Sequence, residues 1–190
     1  MSDKVIQLPL TDEIVRDLHA GDRVLLNGII YTGRDEAHLY LCRMLDAGED
    51  LPIDIKGATI YYVGPCPAKP GQAIGSAGPT TSGRMDVYAP RLMDIGLKGM
   101  IGKGTRKPPV IESMKKNTCV YFAAIGGAGA LLSDCIKEAE VVAFPELGAE
   151  AIYKLYVENF PCTVINDCYG RDLYQEGRAK YEKKNEQEKV

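Results

Sequence analysis

Strand-length apolar runs alternate with segments of helical spacing along almost the whole chain. The turns between them are short and rich in glycine, and few architectures accept such a pattern. KVIQLPL, from Lys4, reads as a strand. Thr11 or Asp12 then caps a short helix, TDEIVRDL, which stops at Gly21-Asp22. RVLLNGIIYTG is a buried strand, and RDEAHLYLCRML carries Ala37, Leu41, Met44 and Leu45 at helical spacing. The turn around Gly33-Arg34 therefore feeds a helix N-terminus. GATIYYVGP reads as a strand, RMDVYAPRLMDIG as helical with a break or first turn at Pro90, and LKGMIGKG as a strand running into a glycine turn. PPVIESMKKN is a helix with proline at its start, TCVYFAAIGG a strand, AGALLSDCIK a helix and EAEVVAF a strand. ELGAEAIYKLYVENFPCTVIND gives a turn and one or two further strands, and the charged tail GRAKYEKKNEQEKV is a solvated helix or disordered.

This alternation predicts an α/β fold with a largely buried sheet, its glycine turns lying at the edge where such sheets bind ligands. The 190 residues suit one domain, expected over 1–175, with the tail over 176–190. A net charge of -3 offers no broad basic field for nucleic acid, so any positive site must be local. MSDKVIQLPL lacks the pattern of a signal peptide, and VYFAAIGGAGALL (120–132) is too short and glycine-broken to span a bilayer. The expected compartment is the cytoplasm. Cys42, Cys66, Cys119, Cys135, Cys162 and Cys168 form no C-x-x-C pair and read as reduced, mostly buried thiols.

Three loops hold residues suited to chemistry. In GPTTSGRMD (78–86), Thr80, Thr81 and Ser82 supply hydroxyls beside a helix N-terminus, and Arg84 can grip a carboxylate with two parallel hydrogen bonds. The alternative is an N-cap cluster with Arg84 paired to a neighbour such as Asp86. IGKGTRK (101–107) fails the phosphate-loop pattern twice: Leu97 stands where the first glycine belongs, and Gly104 where serine or threonine belongs. Lys103 is left either aimed into a cleft or on the surface of a turn. YTGRDEAH (31–38) offers Arg34, or an ion pair of Arg34 with Asp35 or Glu36, and places His38 one helical turn on. The set suits a dicarboxylate, but it includes no electrophile and no strong base. Half the site is therefore expected from another molecule.

RVLLNGIIYTGRDEAH, GPTTSGRMD, GMIGKG, AAIGGAGALL, PELGAEAI and VENFPCTVIND occur in this order. Together, from about Val5 to Leu173, they resemble the beta subunit, or C-terminal domain, of iron–sulfur class I fumarases and L-tartrate dehydratases. The resemblance implies a swivelling β/β/α domain. It implies a separate alpha subunit that carries a 4Fe-4S cluster, with none bound by this chain. The reaction it implies is hydration of fumarate to L-malate, or dehydration of tartrate, at the junction of the two subunits. It makes Arg34 and Arg84 substrate-carboxylate ligands, Lys103 a further polar contact and Thr80 the base; Thr81 and Ser82 line the same loop. No cysteine of this chain is a cluster ligand on that reading. The wording of the motifs favours fumarate over tartrate, and a non-catalytic anion-binding module on the same fold is the alternative. Pairing of the chain with itself is a further option.

Overall fold

Ten residues give β2 (Arg23–Thr32) enough length to serve two neighbours on one edge and a third on the other. In the computed structural model, which describes residues 3–124 and 128–187, β1 (Lys4–Gln7) pairs in parallel with the first half of β2. β3 (Thr59–Tyr61) pairs in parallel with its end, Ile60 opposite Tyr31. β4 (Gly99–Gly102) and β5 (Val120–Ala123) extend the parallel run. The long β7 (Ile152–Asn166) is antiparallel to both β2 and β5, so β2, β3, β4, β5 and β7 close into a five-strand barrel. β6 (Ile136–Ala143) hangs on the first half of β7, outside that ring.

β3, β4 and β5 are buried on both faces, which is why they read as continuous apolar runs. Tyr61, Ile101, Val120 and Phe122 point into a core shared with Leu26, Ile30, Phe160 and Val164. Their neighbours Ile60, Tyr62, Met100 and Tyr121 point outward. There they meet α2 (Asp35–Ala47) through Ala37 and Leu41, α3 (Ala89–Asp94) through Leu92 and Met93, and α4 (Pro108–Asn117) through Val110 and Met114. Each large apolar side chain so buried contributes about 1.5–3 kcal/mol. The expected α/β domain with a buried sheet is the architecture found, and the barrel closure is its addition.

Several local expectations differ from the fold. The strand over GATIYYVGP shrinks to β3, because the chain beyond it leaves the sheet as a long loop. RMDVYAPRLMDIG divides into a 3-10 turn at Ser82–Met85 and α3, whose first turn holds Pro90. Cys135 ends α5 (Gly129–Asp134), and Ile136-Lys137 already belong to β6. The turn expected before the last strand is a 3-10 segment, Pro145–Glu150. The tail forms α6 (Leu173–Gln187), which begins before residue 176. The glycine end of TCVYFAAIGG, at Ile125 to Gly127, lies outside the described residues. Among the described residues no helix is long and apolar enough to cross a membrane. The six cysteines are free, four of them buried.

Candidate functional site

β3 and β4 part at their carboxyl ends, and the segment Thr80–Ser82 wedges between them. Thr80 N–H donates to the Tyr62 carbonyl at 2.8 Å, Lys103 N–H to the Thr80 carbonyl at 3.2 Å, and Ser82 N–H to the Lys103 carbonyl at 2.9 Å. Thr81 and Lys103 form a parallel bridge. Two loops far apart in sequence are thereby locked side by side, with Thr80, Thr81 and Lys103 at the carboxyl edge of the parallel strands. Arg34 leaves the same edge, two residues past the end of β2.

Ser82 faces the other way. It is fully buried, and its hydroxyl lies 2.8 Å from the Tyr121 hydroxyl, which itself donates to the Gly104 carbonyl at 3.0 Å. Tyr121 spends its single proton on Gly104, so Ser82 donates to Tyr121. The 3-10 turn that starts at Ser82 rotates this side chain inward, where it anchors the loop. Gly102 leaves room for it, since a Cβ there would run into the Ser82 hydroxyl.

Arg84 is exposed, and its Nη2 donates to Thr80 Oγ1 at 2.9 Å. Its Nη1 lies 3.6 Å from Asp35 Oδ1, and the same oxygen is 4.0 Å from Arg34 Nε. Arg34 is held more firmly by Glu150, Nη2 to Oε1 at 3.0 Å. The structure thus brings Arg34, Asp35, Arg84 and Thr80 into one chain of contacts, with Lys103 on the adjoining strand end. Lys103 is exposed and has no ion-pair partner among the described residues.

Asp86 pairs with Arg106 rather than with Arg84. Arg106 Nε donates to Asp86 Oδ1 at 2.7 Å, and Lys107 N–H donates to Oδ2 at 2.9 Å. The guanidinium sits between the rings of Tyr62 and Tyr121, 5.4 and 5.0 Å from their centres. His38 is also buried, with its Nδ1 2.7 Å from the Arg34 carbonyl. Burial pushes the imidazole down to about 4, so it is neutral near pH 7 and Nδ1–H donates.

Sequence reasoning offered Asp35 and Asp86 only as ion-pair neighbours of Arg34 and Arg84, and gave no role to Glu150, Arg106 or Tyr121. Glu150 and Arg34 are 116 positions apart in the chain, and no local pattern joins them. Among the described residues no group of three or more His, Cys, Asp or Glu side chains could hold a metal ion. What the site offers is cationic donors around a hydroxyl, suited to a small dianion.

Residues 2–177 match the family model described as Fumarase C-terminus. Fumarate hydratase 2 of Leishmania major is 43% identical over 84% of this chain and 28% of its own length. The aerobic class I fumarate hydratase of Escherichia coli K12 is 46% identical over 81% of this chain and 28% of its own length. The putative L(+)-tartrate dehydratase subunit beta of Methanocaldococcus jannaschii is 42% identical over 93% of this chain and 94% of its own length. The chain thus spans about a quarter of the fumarate hydratases it matches and nearly all of the beta subunit.

Proposed function

This chain belongs to the Fumarase C-terminus family, and from that premise we propose that it is the beta subunit of a two-subunit iron–sulfur hydro-lyase, with fumarate and L-malate as its preferred substrates. The observation that carries the reading is the convergence of Arg34, Arg84, Thr80 and Lys103 at one sheet edge, linked through Asp35 and the Thr81–Lys103 bridge. On this reading the substrate's two carboxylates fall to Arg34 and Arg84, with Lys103 and the Thr81 hydroxyl beside them. Each charge-assisted hydrogen bond contributes about 1.5–3 kcal/mol once water is excluded.

Thr80 is assigned the proton at the carbon next to a carboxylate. An aliphatic hydroxyl is a poor base near neutrality. The Arg84 N–H that points at Thr80 Oγ1 from 2.9 Å stabilises the oxyanion of this side chain more than the neutral hydroxyl. The same guanidinium would then bind substrate and activate the base, while Ser82, tied to Tyr121, keeps the loop in place.

The cysteines of this chain do not fit an iron–sulfur cluster. Cys162 belongs to the inner core, Cys119 donates to the Leu97 carbonyl, Cys42 is buried on α2, and Cys66 stands exposed on a loop. The reading therefore gives the 4Fe-4S cluster to a separate alpha subunit, and this chain contributes carboxylate binding and proton handling. A second reading, the beta subunit of an L-tartrate dehydratase, is favoured by the M. jannaschii relative, which matches over 94% of its own length. Co-expression with a cluster-bearing alpha subunit, followed by anaerobic assays on fumarate, L-malate and both tartrates, separates the two. Turnover of fumarate and malate is expected; turnover of tartrate alone selects the second reading. Malate turnover by the isolated chain would refute the shared site.

A further inference from the structure

Arg34 is fixed from several directions at once. One oxygen of Glu150 holds its Nη2 at 3.0 Å, and the other accepts the Glu36 N–H at 3.2 Å, in the first turn of α2. A single carboxylate thereby ties the guanidinium to the helix that carries it. Gly64 also lines the guanidinium. A Cβ added there would lie 2.8 Å from Arg34 Nη1 and 3.1 Å from the Ala149 carbonyl. Gly64 does not have a left-handed φ, so what the position demands is space. The Arg34 main chain is held as well, because its carbonyl accepts both the His38 N–H, at 2.9 Å, and His38 Nδ1–H, at 2.7 Å.

We propose that Glu150 is a positioning residue, which sets the Arg34 guanidinium in a slot lined by Gly64 and the Ala149-Glu150 segment so that it meets a substrate carboxylate already oriented. This rests on the carboxylate-binding role proposed for Arg34. Two effects of Glu150 oppose each other. Its charge partly neutralises Arg34 and so weakens attraction for a dianion, whereas its geometry removes the cost of ordering a long, mobile side chain at the moment of binding. The pair is about three-quarters buried, with side-chain exposures of 25% and 21%. A guanidinium freed from this slot would sample many rotamers, and the ordering effect dominates.

The test uses Glu150→Ala and Gly64→Ala in the assembled enzyme, with crystal structures of the same variants as isolated chains. The first removes the hold and the second puts a methyl group where the guanidinium lies. Both are expected to raise KM for L-malate about tenfold, the loss of one charge-assisted contact, with kcat within about threefold. Both act on one guanidinium, so the double variant should be little worse than the poorer single. An unchanged or lower KM in Glu150→Ala would overturn the proposal, the lower value marking Glu150 as a competitor of substrate. The crystal structures decide independently of activity. Arg34 should leave its position in both variants, and an unmoved guanidinium in Glu150→Ala refutes the positioning role. If no alpha subunit yields activity on any dicarboxylate, the proposed function fails, and the place of Arg34 still decides this inference.

Discussion

Two arginine–carboxylate pairs lie close together behind and in front of the same loop, and they are built differently. Arg106 and Asp86 meet at 2.7 Å with side-chain exposures of 0% and 2%, and two tyrosine rings enclose the guanidinium. Arg84 and Asp35 stand 3.6 Å apart with exposures of 46% and 35%. The first pair is enclosed by the fold. The second is long and wet, and a surface pair of that kind contributes at most about 1 kcal/mol. A charge held so loosely is free to meet a ligand, whereas a charge enclosed by protein serves the fold. Residues 84 and 86 thus belong to one short motif and to two separate tasks.

The largest effect should come from breaking the enclosed pair. Asp86→Ala strands a buried guanidinium and frees the Lys107 N–H, and it should destabilise the chain by about 3–5 kcal/mol in urea unfolding. A loss below about 1 kcal/mol would erase the contrast between the two pairs. Arg84→Ala should do the converse. The unfolding free energy should change by no more than about 0.5 kcal/mol, while kcat/KM of the reconstituted enzyme falls by about a hundredfold or more. Normal kinetics in that variant would remove Arg84 from the site.

His38 sharpens the comparison through pH. Its imidazole is driven down to about 4 by burial, with the Arg106 charge adding to the effect and the Arg34 carbonyl and Asp35 opposing it. The unfolded chain titrates near 6.5. The folded state favours the neutral ring, so this stability is complete above pH 6.5 and is lost as pH falls through 4. The loss amounts to about 3 kcal/mol at 1.36 kcal/mol per pH unit. Unfolding of His38→Asn between pH 7 and pH 4 should lack that component of the slope. The smallest effect belongs to Tyr121→Phe, which deletes the hydroxyl between Ser82 and Gly104 without changing the ring. It should cost about 1–2 kcal/mol in unfolding, with a smaller loss of kcat than in Arg84→Ala.

Much of the fold was legible because periodicity is local. PPVIESMKKN is α4 to the residue, and the strands buried on both faces announced themselves as apolar runs. The barrel closure was not legible. β7 carries a bulge where Leu26 faces Phe160 and Gly28 faces Val157, with Asn159 at φ 51 and its N–H held by Asn27 Oδ1. That interruption, followed by Pro161, breaks the alternation that would mark one long strand. The loops bearing Arg34, Thr80, Arg84 and Lys103 were legible as polar, glycine-flanked turns after strands. Their mutual arrangement depends on hydrogen bonds between strand ends, which no spacing reveals. Ser82 illustrates the limit. As a loop serine between Thr81 and Gly83 it looks like a ligand residue, yet a single 3-10 turn points it at Tyr121.

The most direct test of the account is the position of a bound dicarboxylate in a crystal structure of the assembled enzyme. The predicted result is one carboxylate on Arg34, the other on Arg84 with Lys103 within reach, the carbon chain passing Thr80, and Arg106 still closed on Asp86. A dicarboxylate bound away from this sheet edge, with Arg84 still facing Asp35, would contradict it.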